Sequence, residues 1–529
     1  MSESTRVEGP QVPGRVSKEP IALEQVAVLL NPVDHVAIAK QPLLPGSLLS
    51  LGEGDVIEVR QLIPAGHKMA VRAIAEGDAI RRYGQIIGFA TRAIESGAHV
   101  HTQNLAVGDF ERDYAFCSEY RPVELVPESA RRTFRGFRRA DGRVGTRNYV
   151  AILASVNCAS SATRAIVDHF KYKSDELKNF PNVDGVIGFP TKGGCGAHYG
   201  SSDVGVLQRT MAGIVDHPNI AAYLILSLGC EVNQPQDIIE ANGLGKPRVL
   251  TIEEDGGFLE TVRRGIESVR ELLPLADQAR REDVPVSELI VALQCGGSDG
   301  WSGVTANPAL GIATDMIVRQ GGTVVLGETT EVYGGEHILT RRAHSVEVGQ
   351  HLVDRIHWWE DYTAKFGATI DNNPAPGNKA GGLTTIYEKS LGAIAKAGSV
   401  PLEQVVGYGE RITAHGLVHM DTPGYDPVSA TGQVAGGCTM VCFTTGRGSA
   451  FGFKPAPSIK VASNSELYRR QGPDMDVNAG RVLDGAPLQE VGEEIFERIL
   501  AVASGEQSKS EAAGLGEEEF NPWILGAML

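Results

Sequence analysis

From Ile21 to about Val107 the apolar runs are short: VAVLL, HVAIAK, DVIEVRQLI, HKMAVRAI and RRYGQIIGFA, separated by Pro-Gly, Gly-Glu-Gly-Asp and Glu-Gly-Asp turns. Short runs cut by such turn residues predict a small all-β module over residues 21–107. Residues 108–135 carry two prolines and little periodicity, which predicts a linker. From Arg147 the rhythm changes. YVAILASV, VDGVIGFP, AAYLILSL, ELIVALQ and TVVLGE are unbroken apolar runs, alternating with segments of helical period such as ATRAIVDHF, DVGVLQRTMAGIVDH and NPALGIATDMIVRQ. That alternation predicts a doubly wound α/β domain over 136–370, its largely parallel sheet buried on both faces. A second α/β domain is expected over 371–505, after a Pro- and Gly-rich stretch, with GQVAGGCTMVCFTTG and SIKVAS as its apolar runs. Residues 1–20 read as a disordered polar tail. The acidic segment 506–529 reads as a poorly ordered C-terminal tail in which Trp523 and Ile524 are able to dock. No internal repeat interrupts this order.

Composition narrows the classes. With 65 acidic against 49 basic residues the chain carries a formal charge of -16, which argues against a nucleic-acid partner, whose phosphates require Lys and Arg. No stretch reaches the roughly 20 apolar residues of a membrane helix, and residues 1–20 lack the apolar segment of a signal peptide, so the expected setting is cytoplasmic, without a membrane partner. The seven cysteines include no Cys-x-x-Cys pair and read as free thiols. For a large acidic enzyme the expected assembly is a homo-oligomer.

In open α/β sheets ligands bind beyond the carboxyl ends of the strands. Here those loops share a chemistry: Asn157 and Cys158; Lys192, Cys195 and His198; Cys230 and Glu231; Cys295, Ser298 and Asp299; then Glu328 to Glu331. A cysteine alone is usually a small buried hydrophobe. Four at equivalent strand exits suggest thiolates converging on one metal, or a reactive thiol at a helix N-terminus. In the β-module His99 and His101 stand at i and i+2, so on a strand both rings share a face, as in half of a metal site. His67 and Lys68 of the same module extend a cationic or metal-binding patch. A third group, Lys379, Thr431, Thr445 and Arg447, sits in glycine-framed loops suited to a carboxylate or phosphate. No Walker A loop or dinucleotide fingerprint is present.

The phrases GTRNYVAILASVNC, LGCEVNQ, GGSDGWSGVTANPALG, ETTEVYGGEH, PGNKAGGLTTIYEKSLG, MDTPGYDPVSATGQVAGG, FTTGRGSAFGFKPAPSIKVASN and DMDVNAG strongly resemble the altronate/D-galactarate dehydratase family. IPAGHKMAVRAIAEGDAIRRYGQIIGFA and HVHTQNL resemble the SAF (β-clip) domain that these enzymes carry. The resemblance spans roughly Ile21 to Gly485. It departs at His35, where asparagine is expected, and at Lys192-Gly193, where a histidine is common; both bear on substrate choice. Membership implies dehydration of a hexonate or hexarate, of altronate or galactarate type, to a 2-keto-3-deoxy acid with Fe2+, Mn2+ or another divalent metal.

The ligand set rests on the constellations rather than on the resemblance: His99, His101, Cys195, Cys230, Cys295 and Glu331 are the expected metal ligands. His101 or Lys379 is the candidate base, and His99 or His198 the candidate acid. His67, Lys68, Asn157, Lys192, Ser298, Asp299, Thr431, Thr445 and Arg447 are the candidate substrate contacts, with Arg447 at the distal end of the acid. This scheme requires the histidines to reach the strand-end cysteines across a domain interface. Three alternatives stand beside it: a sulfolactate-type sulfo-lyase, an iron–sulfur cluster on three of the cysteines with one open iron, and a non-catalytic sugar-acid-binding protein.

Overall fold

The computed structural model describes residues 19–52 and 55–525. The expected disordered segment 1–20 lies almost wholly outside the described residues. The chain divides into two compact units, one formed by its first residues up to Glu111 together with Asp371–Leu391, the other by Arg112–Ile370 and Gly392 onward.

The first unit is built from short strands. Ala27–Val28, Val36–Ala39, Lys68–Ala70 and His99–Val100 form an antiparallel sheet in that order. Two three-stranded sheets accompany it, one from Ile21–Ala22, Leu48–Gly52 and Asp55–Glu58, the other from Ala79–Arg82, Gln85–Ala90 and Leu105–Ala106. Ala37, Ala39, Leu49, Ile57, Ile63 and Met69 fill its core. Asp371–Leu391 belongs to this unit, so the expected start of a second α/β domain at residue 371 is corrected. That segment carries the short helix Pro376–Ala380 and the first residues of the helix Ile386–Ile394.

The second unit contains two parallel sheets. In the smaller, the strand order is Gly185–Phe189, Tyr149–Ala154, Ile220–Ser227 and Arg248–Thr251. Its central strand shows the period of two directly. Tyr149, Ala151 and Leu153 enter one core, with Leu207, Met211 and Ile214 of the helix Ser202–Val215. Val150, Ile152 and Ala154 enter another, with Ile166 of the helix Ser160–Asp168 and Val269 and Leu273 of the helix Phe258–Ala276. The larger sheet has seven parallel strands in the order Leu402–Val406, Gly416–Met420, Thr323–Leu326, Ile290–Cys295, Met440–Thr445, Ser458–Ala462 and Val477–Asn478. Ala292, Val325, Val418, Val441 and Phe443 of this sheet share a core with the smaller one.

These pairings correct the expected boundaries further. The runs ELIVALQ and TVVLGE are strands of the same sheet as the runs after residue 400, so no domain border separates them. The expected linker 108–135 ends in a strand, since Thr133–Arg138 pairs antiparallel with Arg281–Pro285. The C-terminal segment is ordered through residue 525. Glu511 pairs with the buried Arg147 at 2.7 Å, Phe520 meets Phe189 edge-on, and Trp523 stacks on Trp359 with ring centroids 5.2 Å apart. No helix among the described residues is long and apolar enough to cross a membrane.

Candidate functional site

The first unit brings three histidines together. Antiparallel pairing of Lys68–Ala70 with His99–Val100 sets Met69 opposite His99, which places His67 beside the His99–His101 pair. The rings of His99 and His101 stack with centroids 5.3 Å apart, and His67 lies 5.1 and 5.0 Å from them. One ligand atom from each falls within 4.8 Å of the other two.

The hydrogen bonds fix a tautomer. Nε2 of His67 stands 3.2 Å from the Ala380 carbonyl, which only accepts, so Nε2 carries the proton and Nδ1 carries a lone pair. His99 Nε2 donates to that Nδ1 at 3.1 Å, through a proton that a metal bound between the two rings would displace. Nδ1 of His101 is buried with no hydrogen-bond partner among the described residues. Burial, then the neighbouring histidines, draw His99 down to about 3. Burial, then the charge of Lys68, draw His101 down to about 4, with Lys379 adding to the shift. His67 is lowered too, chiefly by burial. Three neutral imidazoles whose ring nitrogens converge, one anchored through its far N–H to a backbone carbonyl, match what a divalent transition metal requires.

Behind them lies a buried ion cluster. Lys68 Nζ donates to both carboxylate oxygens of Glu388 at 2.9 Å and to the Gly382 carbonyl at 2.6 Å, while Arg82 Nη1 donates to Glu388 Oε1 at 2.5 Å. The Thr384 backbone N–H and hydroxyl donate to the same carboxylate at 2.9 and 2.6 Å. Lys68 is therefore not a substrate contact: its side chain is fully buried and its ammonium is spent inside the unit. It fastens the segment Asp371–Leu391, and with it Ala380 and Lys379, to the strand beside His67.

In the second unit the seven-stranded sheet reverses its direction of growth between Ile290–Cys295 and Met440–Thr445, and the crevice beyond such strand ends is the expected ligand position. Gly446 and Arg447 donate their backbone N–H groups to the Gly297 carbonyl there, leaving the Arg447 side chain exposed. Beside it, Cys295 Sγ lies 3.9 Å from Oε2 of both Glu328 and Glu331, and Lys396 Nζ is 3.2 Å from Glu328. All four side chains are buried. Burial opposes the Lys396 charge, but Cys295, Glu328 and Glu331 outweigh it and hold the amine above its ordinary value. Glu328 adopts φ 64°, a left-handed conformation that side chains rarely take, of the kind found where a loop is held for function. The Cys295, Glu328 and Glu331 atoms also lie within 4.8 Å of one another, but an ammonium already supplies the positive charge among them.

Among the described residues, the expected metal ligands fall in two groups, each within its own unit: His99 and His101 with His67, and Cys295 and Glu331 with Glu328, which Cys195 and Cys230 do not join. Cys195 and Cys230 are exposed on loops of the smaller sheet, as is Cys158, so the four strand-end cysteines do not line one sheet edge. Several candidate substrate contacts have other work. Asp299 accepts from the Ser302 and Ser463 hydroxyls at 3.0 and 2.9 Å and from Asn464 Nδ2 at 3.0 Å, closing the loops behind the crevice. Thr431 donates to the Pro427 carbonyl at 2.8 Å, one turn back in the helix Asp426–Ala435. Thr445 Oγ1 accepts the Gly448 N–H at 3.0 Å, and Ser298 is buried. Asn157 donates to the Thr191 carbonyl at 3.1 Å, with Lys192 and His198 exposed on the neighbouring loop. His35 accepts the Arg81 N–H at 3.1 Å. Arg82, Glu388 and Lys396 were not anticipated. Lys396 carries one signal, a lone charge inside the apolar run LGAIAKAGSV, whereas Arg82 and Glu388 each stand beside another charged residue and carry none.

Comparison with known proteins divides the chain in three. Residues 25–108 match the altronate/galactarate dehydratase SAF domain, residues 136–277 the second domain of D-galactarate dehydratase/altronate hydrolase, and residues 286–528 the D-galactarate/altronate dehydratase C-terminal domain. The chain is 38% identical to galactarate dehydratase (L-threo-forming) of Escherichia coli, over 88% of this chain and 92% of that one. It is 35% identical to altronate dehydratase of Bacillus subtilis, over 90% and 95%. It is also 33% identical to the beta subunit of (2R)-sulfolactate sulfo-lyase of Chromohalobacter salexigens, over 74% and 96%.

Proposed function

Since this chain belongs to the altronate/galactarate dehydratase family, hydro-lyases that act on sugar acids, we propose that it dehydrates a hexonate or hexarate of altronate or galactarate type to the 2-keto-3-deoxy acid. The observation that carries the metal-dependent form of this reading is the set His67, His99 and His101, held neutral and with an orphaned ring nitrogen.

The reaction removes the proton from the carbon next to the carboxylate, expels the neighbouring hydroxyl, and lets the resulting enol tautomerise to a ketone. That proton is weakly acidic, so charge building on the carboxylate side needs stabilisation. A divalent ion such as Fe2+ or Mn2+, when bound by the three histidines, supplies Lewis acidity toward an α-hydroxy carboxylate. The chain supplies the rest. The Ala380 carbonyl keeps His67 in the tautomer whose Nδ1 is free, and burial keeps His99 and His101 from protonating at neutral pH. With those imidazoles given to lone-pair donation, Lys379 is left as the candidate base, a role it fills only as the uncharged amine. His198 and Arg447 belong to the other unit, where they stand as the residues the sequence offers for an acid and for a distal carboxylate.

The test is His99→Ala in the full chain. Tightly bound divalent metal is expected to fall to background and turnover of altronate or galactarate to drop at least ~10-fold to 100-fold. Unchanged metal content together with unchanged turnover would remove the histidines from the mechanism. The match to the sulfo-lyase subunit supports a second reading, the same elimination with sulfite as leaving group. Sulfite release from sulfolactate, with no dehydration of any sugar acid, would select it.

A further inference from the structure

Three exposed cysteines stand outside both clusters described above. Cys158, Cys195 and Cys230 each follow one of three neighbouring parallel strands, Tyr149–Ala154, Gly185–Phe189 and Ile220–Ser227, and all three thiols are free. Adjacent strands run ~5 Å apart, so three consecutive strand exits lie within ~10 Å of one another.

Hydrogen bonds lace the three loops together. Asn157 N–H donates to the Gly193 carbonyl at 3.0 Å, and Asn233 N–H donates to the Gly194 carbonyl at 3.0 Å. The side chain of Asn233 reaches the Ser155 carbonyl at 2.8 Å. The buried Glu231 accepts from the Ser155 hydroxyl at 2.6 Å and from the Gly229 N–H at 2.7 Å. Close approach is built into the sequence, because Gly194 has φ +101° and a Cβ there would stand 2.4 Å from the Ser155 carbonyl oxygen. Cys195 and Cys230 are near enough to interact electrostatically.

We propose that Cys158, Cys195 and Cys230 together hold an iron–sulfur cluster, with one iron left free of protein sulfur. Spacing separates this from a mononuclear centre. Metal–thiolate bonds of ~2.3 Å in a tetrahedral site bring sulfurs within ~4 Å of each other, whereas these three thiols do not form a group within 4.8 Å. A polynuclear group spans the wider gap. The fourth strand of the sheet, Arg248–Thr251, leads to Glu253 rather than to a further cysteine, which leaves three thiolates where a fully ligated cluster takes four. Exposure gives iron and sulfide access to the site.

The experiment uses the full chain, purified without oxygen, incubated with equal amounts of Fe2+ and Fe3+ and with sulfide, desalted, and assayed for iron, acid-labile sulfide and visible absorption. The expected result is roughly four iron and four labile sulfide per chain, falling to background in each of Cys158→Ser, Cys195→Ser and Cys230→Ser but kept in Cys117→Ser. The thermal transitions of the three variants should match the parent, because these side chains are exposed. Iron bound without labile sulfide, zinc as the only metal retained, or a cluster that survives Cys195→Ser would each overturn the proposal. None of these readouts depends on turnover, so failure here leaves the dehydratase reading standing, and failure of that reading leaves this one.

Discussion

Glu388 ties the segment that carries Ala380 to the strand beside His67 through Lys68 and Arg82. Its carboxylate is fully buried between Lys68 and Arg82, and although burial opposes its charge, those two cations hold it down to about 2. Removing one partner of a buried ion cluster leaves the others uncompensated, so Glu388→Gln is expected to cost about 3–5 kcal/mol, measured by urea unfolding. The same pair sets an acid limit. A carboxylate whose folded value lies below its ordinary 4.5 contributes stability that is complete above that value. That stability is lost as pH falls from about 4.5 toward 2. The unfolding free energy of the parent should therefore drop across that window, and that of Glu388→Gln should drop less; parallel curves would contradict the assignment. The His99–His101 pair is legible in the sequence because two residues' spacing on a strand puts both rings on one face. His67 was legible only as a neighbour. Its contact with His99 spans 32 residues and depends on strand register, which no local pattern prints.

Individual strands read well from the sequence, and their partners did not. YVAILASV and ELIVALQ both read as buried strands, and both are, but nothing within either run says that they enter different sheets. Sheet membership is decided by chain segments more than 100 residues away, as when Ile290–Cys295 pairs with Met440–Thr445. The four strand-end cysteines were grouped on the assumption of one sheet edge, and that assumption failed with the sheet. Misreading the C-terminal segment had a different cause. Its acidic, Ser- and Gly-rich composition is that of a disordered tail, yet Glu511 finds the buried Arg147, and Trp523 finds Trp359 and donates its backbone N–H to the Tyr408 hydroxyl at 3.2 Å. Stacked aromatic pairs contribute ~0.5–1.5 kcal/mol beyond their buried area. Trp523→Ala is therefore expected to lower the thermal transition and to raise protease cleavage between residues 513 and 525; an unchanged digestion pattern would show that the segment is held without this contact.

Across the whole chain, the family assignment rests on sequence, and each unit carries its own cluster of chemical groups. The resemblance seen in the sequence concerns long phrases spread over nearly all of it, and the comparisons cover the same span. Geometry adds what phrases cannot: a neutral three-histidine site in one unit, and in the other a buried ammonium, thiol and two carboxylates beside an exposed arginine at a sheet crevice. The most direct measurement is anaerobic turnover of a panel of aldonates and aldarates by the full chain, with Fe2+, with Mn2+ and with chelator, reading the 2-keto-3-deoxy acid. Product is expected from altronate or galactarate, abolished by chelator and restored by added metal. Product formed equally well in chelator would contradict the metal-dependent mechanism, and no product from any sugar acid with metal bound would contradict the proposed reaction.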